Sequence, residues 1–267
     1  MDLFYREVGD GFPLIVLHGL YGSSDNWVSI AKQLGFKYRV ILVDQRNHGN
    51  SPHSQSHTYS DLANDLYDLV RRLNLKEFHL MGHSMGGRVA MLFQTLYPNL
   101  VKSLIVVDIA PWSYSGIDAH FVDSYNEHRG IVKSMLELPL DSVYSRSDAD
   151  EYLSKSIPSQ KLRQFLFKNL RRDSNGQFYW SINLPVVWES LEDMLLGVDV
   201  DIRVVQSLNV LFIKGADSDY IPDDRTDEIF SFYPKARLVT INNAGHWVHA
   251  EQPEIFISTV LEFLSTV

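Results

Sequence analysis

Ser84 stands between two glycines in Gly82-His83-Ser84-Met85-Gly86, directly after the run Phe78-His79-Leu80-Met81. A G-x-S-x-G spacing suits a sharp turn from strand into helix, where a side chain at either glycine would collide with the turn and the serine backbone is strained. Strain of roughly 1–3 kcal/mol lifts the hydroxyl into a cleft. The helix expected next, from about Met85 through Arg88, Val89, Leu92 and Phe93 towards Tyr97-Pro98, aims its positive N-terminal end at the serine. The chemistry such a serine can do is nucleophilic attack on an acyl carbon.

A serine hydroxyl is a weak nucleophile until a histidine takes its proton and a carboxylate holds that histidine in the right tautomer. His246, in Asn243-Ala244-Gly245-His246-Trp247, follows the last apolar run and is the expected base among ten histidines. His83 lies inside the turn, His18 beside the first strand and His249 close to His246, while His48, His53 and His57 fall in a polar loop and are expected to be solvated. The carboxylate stays open. Asp108 ends one apolar run, Asp217 and Asp219 follow another, and either strand end can reach one histidine. An oxyanion needs two inward backbone N–H groups: Met85, next after the serine, supplies one, and Leu20 in His18-Gly19-Leu20-Tyr21-Gly22 the other. No H-E-x-x-H or similar spacing occurs, so no metal and no cofactor is expected.

The elements that must position these residues are legible as short apolar runs at 13–17, 40–43, 78–81, 104–107, 210–213 and 238–241. Continuous runs of that length read as strands buried on both faces of a parallel sheet. Helical stripes alternate with them: Leu62, Leu66, Leu69, Val70 and Leu73 behind a Thr58/Asp61 cap pair, and Ile255, Phe256, Thr259, Val260 and Leu264 near the C-terminus. Strand–helix alternation implies an α/β fold with helices on both faces and a site at the carboxyl ends of the strands. Between about 111 and 207 the alternation stops and aromatics follow in mostly helical spacing, without a clear buried strand. The expected organisation is a core formed by 1–110 and 208–267 with an inserted helical cap at 111–207. Within it Trp112, Tyr114, Trp180 and Trp188, together with Trp247, are candidate walls of an acyl pocket; most cap aromatics are expected to pack the cap's own core.

Composition bounds the rest. Hydrophobic residues make up 45% and charged residues 21%, enough for a large core. Cysteine is absent, which removes disulfides and thiolate chemistry. A net charge of −9 disfavours nucleic acid or anionic membrane as partners. No run approaches the ~18 apolar residues of a membrane span and the start has no signal pattern, so membrane insertion is not expected and the cytoplasm is. The expected partner is a small acyl ester or thioester, handled by a monomer or homodimer. One segment cuts across the net charge: 161–172 carries five basic residues, Lys161, Arg163, Lys168, Arg171 and Arg172, with an apolar face of Leu162, Phe165, Leu166 and Leu170. It reads as a solvated amphipathic helix, or as a dock for an anionic leaving group such as the phosphates of coenzyme A.

Taken together, His18-Gly19, the stretch Asp44-Gln45-Arg46-Asn47-His48-Gly49-Asn50-Ser51, the serine turn and Gly245-His246-Trp247 resemble the α/β-hydrolase superfamily over nearly the whole chain. The closer resemblance is to the YbfF-type bacterial esterases and their mitochondrial relatives. It rests on Asn47, where most of the superfamily has glycine, and on Asp108-Ile109-Ala110-Pro111 followed by Tyr114. That resemblance implies Asp108 as the acid, because the superfamily's usual acid position, three residues after Gly215, is Ser218 here. It implies a cofactor-independent carboxylic-ester or thioester hydrolase with Ser84 as nucleophile. Carbon–carbon bond hydrolysis by the same residues and a low-turnover ligand sensor are the alternatives.

Overall fold

Seven strands form one sheet in the order β1 (Tyr5–Val8), β3 (Tyr38–Val43), β2 (Phe12–Leu17), β4 (Phe78–His83), β5 (Val101–Val107), β8 (Asn209–Gly215) and β9 (Ala236–Ile241) in the computed structural model, which describes residues 1–114, 119–198 and 208–267. All neighbours are parallel except β1, which pairs antiparallel with β3. The six apolar runs are the six parallel strands. β1, with the polar sequence Tyr-Arg-Glu-Val, carries no such signal because an edge strand is covered on fewer sides.

The strands alternate their side chains between two cores. On one face Ile15, Leu17, Leu80, Leu104, Val106 and Phe212 meet α2 (Tyr59–Arg72) and α3 (Met85–Leu96) through Leu62, Leu66, Val89 and Phe93. On the other, Leu14, Val16, Met81, Ile105, Leu211 and Ile213 meet α1 (Val28–Leu34) and α10 (Pro253–Leu264) through Ile30, Leu34, Phe256 and Val260. Truncating a buried phenylalanine such as Phe93 to alanine removes about 3–5 kcal/mol. α2 begins as expected, with the Thr58 hydroxyl accepting from the Asp61 N–H.

Over the carboxyl ends of the strands lie α4 (Ala119–Leu136), α5 (Arg146–Ser154), α6 (Gln160–Leu166) and α7 (Leu184–Leu196), packed on a third core that includes Val132, Leu153, Leu166, Leu170 and Val187. This region differs from expectation in one respect. A small hairpin, β6 (Leu170–Arg172) with β7 (Phe178–Trp180), follows α6, so the basic segment is a helix, a 3₁₀ turn and a strand rather than one helix. Three-residue strands leave too short an apolar run to read, and the turn at Gly176, φ +81°, closes them. The expected end of the insertion, near 207, lies outside the described residues. α8 (Glu228–Phe232) and α9 (Val248–Glu251) complete the description.

Candidate active site

Parallel register brings the candidate residues to one edge. His83 pairs with Val107 and Val107 with Ile213, so the residues just beyond, Ser84 and Asp108, leave adjacent strands side by side. The Ser84 N–H donates to Val107 O at 2.9 Å and the Asp108 N–H to Ile213 O at 2.8 Å. Ser84 caps α3 with φ +52° and ψ −119°, a conformation rare for a residue with a side chain. The flanking glycines are required by contact: a Cβ on Gly82 would lie 2.1 Å from Gly86 O, and one on Gly86 2.6 Å from Leu17 O.

His246 arrives from the loop after β9. Its Nδ1 donates to Asp108 Oδ2 at 2.8 Å, which leaves Nε2 as the nitrogen able to accept a proton. The Asp108 carboxylate is fully buried and also accepts from the Gly215 N–H at 2.9 Å and from the Ser218 hydroxyl. Asp217 and Asp219 are exposed, and among the described residues neither hydrogen-bonds a histidine. Tyr220 stacks on His246, ring centroids 3.7 Å apart, and fixes its plane. Beneath it, the His83 ring donates from Nε2 to His246 O at 2.8 Å; burial holds His83 well below the usual histidine range, so this ring is neutral and serves as a brace.

The loop bearing Leu20 is braced from behind. His18, held neutral by burial, donates from Nδ1 to Gly19 O at 2.8 Å and accepts the Gln45 N–H on Nε2 at 3.0 Å. Asp44 Oδ1 accepts from Ser24 N and Oδ2 from Asn50 N, while Arg46 grips Asp65 through Nε and Nη2 at 2.6 and 3.0 Å. Among the described residues, neither the Leu20 N–H nor the Met85 N–H donates to a protein acceptor, so both amides are available to an oxyanion. Here the expectation of solvated loop histidines is corrected: only His53 is exposed. His48 and His57 are buried, His57 pushed down to about 4 by desolvation, because the loop folds inward around Asn47, φ +64°.

Ser84, Met85, Leu20 and His246 line one cavity of about 480 Å³ between sheet and cap. Tyr114 lines it too, with Ile109, Phe121, Met194 and Leu195 as apolar wall. The four tryptophans lie outside that lining. Trp112 is buried under the Arg225 guanidinium, Trp180 donates to Met135 O at 3.0 Å inside the cap, Trp188 lies 3.5 Å beneath Arg129, and Trp247 packs on Phe165. Large aromatics are conspicuous in a sequence, but their area is used in packing, that of Trp112 in the core between sheet and α3 and that of the other three against the core beneath α4–α7. Residues with no site role assigned from the sequence join the site instead. His128, from α4, bridges the hydroxyls of Tyr21 and Tyr220 at 3.0 and 3.1 Å, and burial holds it down to about 4. Arg88 also lines the cavity, one helical turn after the serine. Its spacing of four from Ser84 was a readable signal.

Comparison with known proteins places this geometry among relatives. The alpha/beta hydrolase fold family matches residues 13–253. The chain is 38% identical over 262 residues to the sn-1-specific diacylglycerol lipase ABHD11 of Danio rerio, covering 96% of this chain and 79% of the relative. It is 29% identical to the esterase YbfF of Escherichia coli K12, covering 95% and 93% respectively. Among solved structures it is similar to a marine microorganism esterase, 42% identical with a TM-score of 0.91, covering 98% of this chain and 99% of that one.

Proposed function

The chain belongs to the α/β hydrolase fold family, and from its cavity we propose that it is a carboxylesterase that cleaves esters through an acyl group carried on Ser84. The observation that carries this reading is the 2.8 Å bond from His246 Nδ1 to the buried Asp108, with Ser84 on the same cavity. His246 Nε2 takes the proton as Ser84 Oγ attacks the ester carbon; Asp108 orients the ring and stabilises the imidazolium. The Leu20 and Met85 amides hold the tetrahedral oxyanion. Collapse breaks the bond to the alkoxy oxygen, which leaves as alcohol with the proton from His246. Water, deprotonated by the same nitrogen, then attacks the acyl-Ser84 carbonyl, and the carboxylic acid departs as the serine recovers its proton.

Esters fit better than coenzyme A thioesters. Four of the five basic residues at 161–172 are engaged within the chain: Lys161 with Glu251, Arg163 with Asp150, Arg171 with Asn50, and Arg172 with Gly176 O and Tyr144 O. Guanidinium groups so occupied are poor phosphate docks. A screen of p-nitrophenyl esters of increasing acyl length, run beside acyl-CoA thioesters, tests the reading. Turnover of short esters is expected, with Ser84→Ala lowering kcat on the order of 10³-fold or more. A Ser84→Ala protein retaining over about a tenth of the rate, or a clear preference for acyl-CoA, would overturn it.

A further inference from the structure

Arg88 is 3% exposed yet lines the cavity, and among the described residues no carboxylate pairs with it. Its Nη1 donates to Met194 O at 3.3 Å and Leu195 O at 2.9 Å, two carbonyls in the last turn of α7. That explains one corner of the guanidinium. Among the described residues its Nε is buried and has no hydrogen-bond partner, and the neighbouring Tyr59 hydroxyl and Tyr114 ring are neutral. Four other arginines of this chain show what the edge formed by Nε and Nη2 does: Arg39 holds Glu7 with it, Arg46 Asp65, Arg163 Asp150 and Arg225 Glu228, each in a two-point grip on a carboxylate. In Arg88 alone of these five, that edge holds no carboxylate, and Arg88 is the one that lines the cavity.

Resting on the esterase reading above, we propose that Arg88 is the binding residue for a carboxylate carried by the substrate, so that the preferred esters are monoanionic. A buried cation without a counter-charge is unfavourable, and a carboxylate on the bound molecule supplies both the charge and an acceptor for the Nε that lacks one. Ser84 and Arg88 lie four residues apart on α3, a rise of about 6 Å, so a short carbon chain would separate carboxylate from ester. The cavity also has Asp123, Glu127, Asp217 and Asp219 along it, but all four are exposed, where water and salt screen them. Arg88 is buried, where a charge acts more strongly.

The test compares isosteric pairs. Monoethyl glutarate against ethyl 5-methylhexanoate places the carboxylate on the acyl side; 3-acetoxypropanoate against 3-methylbutyl acetate places it on the alcohol side. In at least one pair the anionic ester should have the higher kcat/KM by about tenfold or more, the scale of hydrogen bonds to a charged group. Arg88→Met should collapse that anionic-to-neutral ratio through KM, and Arg88→Lys should restore part of it. Should Arg88→Met fail to fold, wild-type protein still decides: glutarate or 3-hydroxypropanoate should inhibit p-nitrophenyl acetate hydrolysis competitively, well below the concentration needed for butyramide. Neutral esters preferred in both pairs, or a ratio unmoved by Arg88→Met, would overturn the inference while leaving the esterase reading intact. Absence of any Ser84-dependent ester turnover would instead sink the esterase reading itself.

Discussion

Asp108 is a carboxylate fully removed from water, and such a group is tolerable only when its lone pairs are filled. Gly215 N–H, the Ser218 hydroxyl and His246 Nδ1 fill them. An asparagine there would favour the histidine tautomer with the proton on the wrong nitrogen. Asp108→Asn should therefore lower kcat for p-nitrophenyl acetate by up to ~10⁴-fold, far more than Asp217→Asn or Asp219→Asn; a larger loss in either of those would move the acid to the β8 loop. Residue types alone could not choose, because β5 and β8 are neighbours and both end beside the β9 loop. Resemblance points to Asp108. What the structure adds is that Ser218, standing at the usual acid position, donates to that same carboxylate.

At the scale of elements, the five inner parallel strands β2, β3, β4, β5 and β8 were readable because both faces of each are covered by helices, which forces unbroken apolar sequence. The serine turn was readable for a related reason: two close backbone approaches admit only glycine. What could not be read are joints between distant elements. Asn47, noted only as a departure from glycine, accepts the Asn183 N–H at its carbonyl, 2.9 Å, and Asn183 Nδ2 at its side chain, 3.0 Å, tying the start of α7 to the core. Asn169 adds a second tie by donating to Tyr21 O at 2.7 Å, next to the loop that carries Leu20. His128 makes a third through Tyr21 and Tyr220. The bonds of Asn47 to Asn183, Asn169 to Tyr21 and His128 to Tyr21 each span more than a hundred positions. Periodicity carries no information at that range. The tryptophans misdirect for the converse reason, since an aromatic that fills a cap core has the same spacing as one that faces a ligand.

For the molecule as a whole, the buried histidines His18, His48, His57, His79, His83 and His249 act mainly as neutral packing and hydrogen-bonding groups. Burial holds His57 and His79 down to about 4 and His249 to about 3, and lowers His18, His48 and His83 as well. The unfolded chain, with histidines near 6.5, binds protons that the folded chain refuses, so stability is full above about pH 6.5 and falls as pH drops towards 4. For His57, His79 and His249 taken singly, the loss below pH 6.5 approaches about 1.4 kcal/mol for every further pH unit until the folded pKa is reached. Thermal melting should therefore move to lower temperature between pH 7 and 5.5, before most carboxylates titrate. His249→Phe, which keeps the 4.0 Å stack on Trp27 but removes a titrating ring, should flatten that slope; a slope unchanged by it would mean His249 takes up no proton on unfolding. Whether Ser84 is the nucleophile of an esterase is decided by intact mass after treatment with a fluorophosphonate. One phosphonyl adduct per chain is predicted, located on the peptide containing Ser84, with ester hydrolysis lost in proportion to labelling and no adduct on Ser84→Ala. An adduct on another residue, or full activity in protein labelled to completion, would contradict it.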